Sequence, residues 1–145
     1  MSVAERVQAD AQAALKAGDR ERAGALRLVA SELQRAAKDG GGDVDEIEVL
    51  QRERKRRLES AEAYRDADRA DLAVSEESEA ALIEGYLPAQ MADEELAAIV
   101  ASAVEQSGAS SPRDMGNVMK LVMPEVKGRA DGKRVSAAVK EKLTA

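Results

Sequence analysis

Apolar residues recur every three or four positions along most of the chain, which is the spacing of amphipathic helices. The first such run follows Ser2, which has a glutamate three residues later in the pattern of a capping box, and Gly18 ends it. Asp19 can cap a second helix, which continues to about Lys38 and stops at the three glycines of residues 40–42. The apolar faces of these two helices are Val3, Val7, Ala11, Ala14 and Leu15, and then Ala23, Leu26, Ala30, Leu33 and Ala37.

A third helix is predicted from a box-like start at Asp43 and Glu46 to about Ala67, but its apolar spacing is interrupted. The segment QRERKRR, residues 51–57, has no apolar side chain over about two helical turns, so little ordinary core is expected beside it. The apolar face of the third helix is Ile47, Leu50, Leu58 and Ala61. A fourth helix is predicted over about residues 72–85.

The sequence YLP at residues 86–88 marks a corner at which the helical pattern breaks. Pro88 disfavours helical backbone at Leu87, and the two residues before the proline are large and mostly apolar. We therefore predict a domain boundary here, with an N-terminal helical domain over residues 1–90 and a smaller C-terminal domain over residues 91–145.

Three more helices are predicted beyond the corner. Gly108 closes the first, and Ser111 with Pro112 starts the second as N-cap and first helical residue. Pro124 is expected to end the second helix, and Asp131 can cap the third. Their apolar faces are Leu96, Ile99, Val100, Ala103 and Val104; Met115, Val118, Met119 and Val122; and Val135, Ala138, Val139 and Leu143. No stretch alternates with period two, so we predict an all-α fold, a bundle of about four helices followed by a three-helix domain.

Composition limits the function. With 22 basic and 28 acidic residues the formal charge is −6, whereas a general nucleic-acid coat protein carries a basic excess. Residues 1–90 hold 20 acids and 14 bases, and residues 91–145 hold 8 of each, so any basic surface must be local.

The chain contains neither His nor Cys, which removes the commonest general base, the commonest metal ligand and all thiol chemistry. We assign no catalytic residue and expect neither a metal nor a cofactor. The start MSVAER shows no secretory signal pattern and no run of 18 apolar residues occurs, so we expect a cytoplasmic protein without a membrane partner.

Two basic segments are candidates for binding phosphate. In VKGRADGKRV, residues 126–135, Gly128 suits left-handed backbone and Gly132 allows another chain to approach closely. A helix start presents free N–H groups and a partial positive charge, so the surrounding bases Lys127, Arg129, Lys133 and Arg134 could complete an anion site. The alternative is an ordinary helix cap by Asp131, with the bases solvated.

The second segment lies in the third helix, where five cations wrap around the axis because consecutive residues turn by about 100°. They are Arg52, Arg54, Lys55, Arg56 and Arg57. This segment is either a surface that contacts the RNA backbone or a solvated stretch with ion pairs to Glu48, Glu53 and Glu59. Arg54 stands out because it lies four residues from both Leu50 and Leu58.

Longer motifs resemble a known family. YLPAQM at residues 86–91, GASSPRDMGNVMKLVMPEVKGRADGKRV at residues 108–135 and KAGDRERAGALRLVASEL at residues 16–33 strongly resemble the YqeY family. Its members are similar to the tail of the GatB subunit of the tRNA-dependent amidotransferase, which helps to hold the tRNA while its attached Glu or Asp is amidated with glutamine as nitrogen donor. The positions that match the motif are Gly116, Lys120, Lys127, Gly128, Arg129, Asp131, Gly132 and Lys133, whereas Ser136 stands where an Asn is expected.

The resemblance implies a helical bundle with a small tail domain and a non-catalytic accessory module that binds tRNA or another structured RNA. The expected phosphate contacts are Lys120, Lys127, Gly128, Arg129, Gly132, Lys133 and Arg134. The label inherited from the family would be a carbon–nitrogen ligase with glutamine as amido-N-donor, so one alternative is an amidotransferase component that needs other subunits. The resemblance does not include the catalytic portion of GatB. A second alternative is a protein–protein adaptor that presents the acidic N-terminal bundle.

Overall fold

The computed structural model describes residues 1–42 and 44–145, and these contain seven α-helices and no strand. The prediction of an all-α fold is therefore confirmed. The helices are α1 (Val3–Lys16), α2 (Arg20–Asp39), α3 (Glu46–Asp66), α4 (Ala70–Glu84), α5 (Asp93–Ser107), α6 (Met115–Val126) and α7 (Gly132–Thr144), and a 3₁₀ turn at Pro112–Asp114 precedes α6. The chain divides into two compact units, Met1–Leu87 and Pro88–Ala145. None of the described helices has the length and apolar character needed to cross a bilayer.

Side chains cap the starts of four helices, because the first amides of a helix have no partner within it. Ser2, Asp19, Asp45 and Asp131 each accept a hydrogen bond from the amide three residues later, at 2.8–3.2 Å. Asp43, which the sequence suggested as the start of α3, lies outside the described residues.

Glu46 forms a long-range contact that the sequence pattern did not indicate. Its carboxylate accepts the amide hydrogens of Val3 (3.1 Å) and Ala4 (2.8 Å), at the first turn of α1. A carboxylate is stabilised at a helix N-terminus by these free N–H groups and by the helix dipole. The start of α3 is thus joined to the start of α1.

The core of the N-terminal unit lies between two helix pairs, since α1 packs mainly on α2 and α3 mainly on α4. The largest fully buried side chains of this core are Val7, Leu26, Val29, Leu33, Leu50 and Ile83. Two residues predicted to face the core do not. Leu15 is 46% exposed and Leu58 is 37% exposed.

The displacement of Leu58 has a clear cause. The buried side of α3 consists of Val49, Leu50, Glu53, Arg57 and Ala61. Glu53 and Arg57 form an ion pair on the core side, so the inner face passes through the polar segment and Leu58, one position further, turns outward. The segment therefore faces the interior through charged side chains in place of an apolar stripe.

Tyr86 fixes the end of the N-terminal unit. Its hydroxyl donates a hydrogen bond to Asp10 of α1, and the guanidinium of Arg6 lies 5.4 Å from the centre of its ring. Partial burial and then the Asp10 carboxylate raise the pKa of Tyr86 to about 12.

In the C-terminal unit α5, α6 and α7 pack against one another around Leu96, Val100, Val118, Val122, Val126, Val135 and Val139. The prediction that Pro124 ends α6 is wrong, since the helix continues to Val126. A proline inside a helix removes one hydrogen bond, to the carbonyl of Lys120. Val122 and Val126 lie on the same side of α6 and are fully buried, and this packing carries the last turn past the proline.

Candidate nucleic-acid interface

The loop between α6 and α7, residues 127–131, is held tightly by main-chain hydrogen bonds. Gly128 is buried and has φ +82°, a left-handed conformation that other residues rarely adopt, as the sequence suggested. The amide of Arg129 donates to the carbonyl of Val126 (2.8 Å), and the amide of Met91 donates to the carbonyl of Arg129 (2.8 Å). The loop is therefore fixed to the segment that leads into α5.

Arg129 fastens the same segment with its side chain. Both terminal nitrogens donate to the two oxygens of Glu95, each at 2.9 Å, and Nε donates to the carbonyl of Ala89 at 3.1 Å. This fork-like pairing lowers the pKa of Glu95 and raises that of Arg129. Arg129 thus serves the fold of the C-terminal unit.

Arg134 has a similar position. It donates to Asp93 (2.7 Å) and to the carbonyl of Met91, while Asp131 accepts the amide of Arg134 (2.8 Å) and caps α7. The start of α7 therefore contains the ordinary cap that the sequence allowed as an alternative. A phosphate at this point would have to share the helix end with a carboxylate, which disfavours an anion there.

The three lysines of the segment are more exposed than Arg129 and Arg134. Lys120, Lys127 and Lys133 are all exposed, and neither Lys120 nor Lys133 forms an ion pair with any described residue. By helical phase Gly116, Lys127 and Lys120 follow one another within an arc of roughly 40° on one side of α6, and Lys127 is the residue directly after the helix. No acidic residue of α6 lies on this side, because Glu125 is turned roughly 140° away.

Two of the three matching glycines, Gly116 and Gly132, are also exposed. A side chain added at Gly116 or at Gly132 would meet no other atom within 4 Å, so packing inside the unit does not require glycine at either position. The surface around Lys120, Lys127 and Lys133, with Gly116 and Gly132, is called the α6–α7 lysine surface below.

The basic segment of α3 is mostly occupied by internal contacts. Arg57 is 9% exposed and pairs with Glu53, Arg54 donates to Glu84 at 2.6 Å, and Arg56 lies 3.4 Å from Glu53. Arg52 and Lys55 are exposed without an ion pair to a described residue, but they share their side of α3 with Glu48, Glu59 and Glu62. The charge on this side is therefore mixed.

Several partners were missed by reasoning from sequence. Glu95 and Asp93 lie 34 and 41 residues before the arginines they bind, and separations of this kind leave no local pattern. Pairing of the α3 cations with Glu53 was one of the two alternatives that the sequence offered, and Glu53 and Arg57 stand at the i,i+4 spacing that places side chains together on a helix.

The described residues form seven helices in two compact units, and two arginines fasten the second unit, which has three α-helices. This defines a small all-helical protein, as the motifs indicated. A family model described as Yqey-like protein matches residues 4–143, and the chain belongs to the YqeY family, as predicted. The chain is also similar to "Altered inheritance of mitochondria protein 41, mitochondrial" of Pyrenophora tritici-repentis (strain Pt-1C-BFP). The two are 29% identical over 143 residues, which cover 94% of this chain and 78% of that protein.

Proposed function

We propose that this protein is an RNA-binding accessory module whose C-terminal unit contacts the phosphates of tRNA or another structured RNA through Lys120, Lys127 and Lys133. The observation that carries the proposal is the α6–α7 lysine surface. Within the segment that resembles the GatB tail, the fold employs Arg129 and Arg134, whereas Lys120 and Lys133 are exposed without an ion pair to a described residue, and the side of α6 that carries Lys120 holds no acid of that helix. Lysine contacts phosphate as a compact charge and does not need a fixed geometry.

The exposed glycines fit the same function. Glycine costs a helix roughly 1 kcal/mol relative to alanine, and no neighbour demands it at Gly116. A sugar–phosphate backbone can approach a helix most closely where there is no Cβ. The chain has two tyrosines, no Phe and no Trp, so few side chains can stack on unpaired bases, and recognition would depend on the shape of the RNA.

In this proposal Arg129 and Arg134 are supporting residues. They hold the loop between α6 and α7 and the segment before α5, and so keep Lys127 and Lys133 in fixed backbone positions. If the protein acts as a component of a glutamine-dependent amidotransferase, the same surface would hold the tRNA for other subunits. Stimulation of amidated tRNA formation by the added protein would test that role.

The direct test is a titration with bulk tRNA at several salt concentrations. Wild type would be compared with Lys120→Glu/Lys133→Glu and with a matched control, Arg52→Glu/Lys55→Glu, which makes the same number of charge reversals at two exposed residues on the mixed side of α3. We expect wild-type affinity to fall steeply with salt, and the lysine-surface variant to bind more weakly with a log–log salt slope smaller by about 2. The control variant should keep most of the affinity and the slope.

Circular dichroism and thermal unfolding would show that both variants are folded. Equal binding by wild type and Lys120→Glu/Lys133→Glu would contradict the placement of the site. A wild-type protein that does not bind tRNA even at low salt would exclude the RNA-binding function and favour the protein–protein adaptor.

A further inference from the structure

The exposed side of α2 carries a row of positive charge that the sequence did not reveal. Arg20, Arg27, Arg35 and Lys38 fall within an arc of roughly 80° when consecutive residues turn by 100°. All four are exposed, and the opposite side of the helix is buried in the core of the N-terminal unit. Gly24 and Ser31 lie within the same arc and are exposed too.

No acidic residue of α2 lies in this arc. Glu21, Glu32 and Asp39 lie together on its flank, roughly 40–60° beyond Arg35. One of them, Glu32, pairs with Arg35 at 2.9 Å. Arg20, Arg27 and Lys38 form no ion pair with any described residue, so three of the four charges of the row are uncompensated by direct contact.

The exposed charges of α2 and α3 differ in their pattern of sign, so the row on α2 is not a general property of a charged helix in water. On the exposed side of α3, Arg52 and Lys55 alternate with Glu48, Glu59 and Glu62, which is the mixed pattern of a solvated face. The row on α2 is of one sign, although residues 1–90 together have a net charge of −6. A net charge summed over residues 1–90 conceals the row, because it averages charges that lie on different sides of the helices.

The shape of the row favours one kind of partner. From Arg20 to Lys38 it extends about 27 Å along a straight helix, at 1.5 Å per residue. A nucleic-acid duplex presents phosphates continuously over such a length. A membrane surface fits less well, since a helix that lies in a bilayer interface inserts a broad apolar side. Of the large apolar side chains of α2 only Leu28, at the edge of the row, is exposed (55%), and the others are buried in the protein.

Gly24 provides a second observation. It lies in the arc of the row, near the N-terminal end of a long helix where glycine is unfavourable relative to alanine. A Cβ at Gly24 would meet nothing within 4 Å, so neither packing nor backbone conformation requires glycine there. The absence of a side chain lets a partner backbone approach the helix between Arg20 and Arg27.

We infer that the exposed side of α2 is a second RNA-binding surface, which contacts the phosphate backbone of structured RNA through Arg20, Arg27, Arg35 and Lys38. It shares its class of ligand with the proposed function, but it lies on the other unit and does not depend on the α6–α7 lysine surface. Each surface can therefore be tested by itself.

The test measures binding of bulk tRNA and of a short RNA duplex to the full chain. Arg20→Gln/Arg27→Gln removes two charges from the row, and Arg52→Gln/Lys55→Gln removes two exposed charges from the mixed side of α3 as a matched control. We expect the first variant to reduce the log–log salt slope by about 2 and the control to leave it close to wild type, with unchanged helix content in both.

Gly24→Ala gives an independent readout. It should raise the unfolding temperature, because alanine is the better helix former, and at the same time weaken binding of the duplex by restoring a Cβ on the contact side. A purely structural role for this position would raise the unfolding temperature and leave binding unchanged.

The outcomes separate the two proposals. Loss of binding in Arg20→Gln/Arg27→Gln but not in Lys120→Glu/Lys133→Glu supports the α2 surface and removes the lysine surface, and the reverse result overturns the inference made for α2. Weaker binding in both variants supports both surfaces. If Arg20→Gln/Arg27→Gln binds RNA as the α3 control does, or if wild type binds anionic phospholipid vesicles and no RNA, the α2 inference is wrong.

Discussion

Glu53 and Arg57 occupy two positions on the inner side of α3 where apolar side chains would ordinarily lie. Arg57 donates to the Glu53 carboxylate at 2.8 Å, and its Nε lies 3.3 Å from Glu79 without a hydrogen-bond partner of good geometry. The desolvation of such a pair offsets much of its attraction, so its contribution to stability depends on both partners being present.

Removal of one partner should therefore cost far more than removal of both. We predict that Arg57→Met lowers the free energy of unfolding by about 3–5 kcal/mol, because it leaves the Glu53 carboxylate buried without its main partner. Glu53→Leu/Arg57→Met should be close to wild type or more stable. Urea unfolding followed by circular dichroism would measure both, and a double variant as unstable as Arg57→Met would show that the pair is indispensable.

Glu76 stands near the same group of charges. Burial raises the pKa of its carboxyl, Glu79 raises it further, and Arg57 opposes the shift. The inner side of α3 and the facing side of α4 are thus linked by charge as well as by apolar packing.

Gly116 in α6 and Gly128 in the loop after it are glycines for different physical reasons. Gly128 is needed for its left-handed backbone, whereas Gly116 is an ordinary helical residue on an open surface. The same substitution should thus have opposite effects at the two positions.

We predict that Gly128→Ala lowers the free energy of unfolding by about 1–2 kcal/mol, the cost of a left-handed conformation for a residue with a Cβ. Gly116→Ala should raise it by roughly 0.5–1 kcal/mol. Under the proposed function, Gly116→Ala should also weaken tRNA binding in spite of the added stability. Thermal or urea unfolding of the two variants, with tRNA titration of the second, measures each effect; a destabilised Gly116→Ala variant would contradict this account.

The helix starts were predictable because their signals are local. Ser2, Asp19 and Asp131 each act on an amide three residues later, a distance that the sequence displays directly. The end of α6 was not predictable, because the packing of Val126 against other helices outweighs the local effect of Pro124. The orientation of Leu58 depends likewise on the burial of Glu53 and Arg57, which the spacing of apolar residues does not show.

The candidate site was predictable only as a segment. The motifs led to the right family and drew attention to residues 126–135, but tertiary contacts decide which cations are occupied. Arg129 and Arg134 are bound to acids of α5, and the row on α2 is visible only when its residues are placed on a helix and its buried side is known.

Each unit has its own apolar core, one built from residues before Leu87 and the other from Met91 onward. We predict that the units unfold in separable transitions. Leu33→Ala and Leu96→Ala, each at a buried position, should each cost about 2–5 kcal/mol and displace only the transition of the unit that contains the substitution. Hydrogen exchange measured along the chain would assign each transition, and equal loss of protection in both units would show one cooperative structure.

Tyr86, joined to Asp10 and covered by Arg6, has a use that extends beyond its contacts. Tyr64 and Tyr86 are the chain's whole set of aromatic side chains, and both belong to the N-terminal unit. The intrinsic fluorescence of the protein is therefore a reporter built into one half of it. A ligand that changes this emission acts on the N-terminal unit, which contains α2. A ligand that binds without changing it directs attention to the C-terminal unit, which has no aromatic side chain.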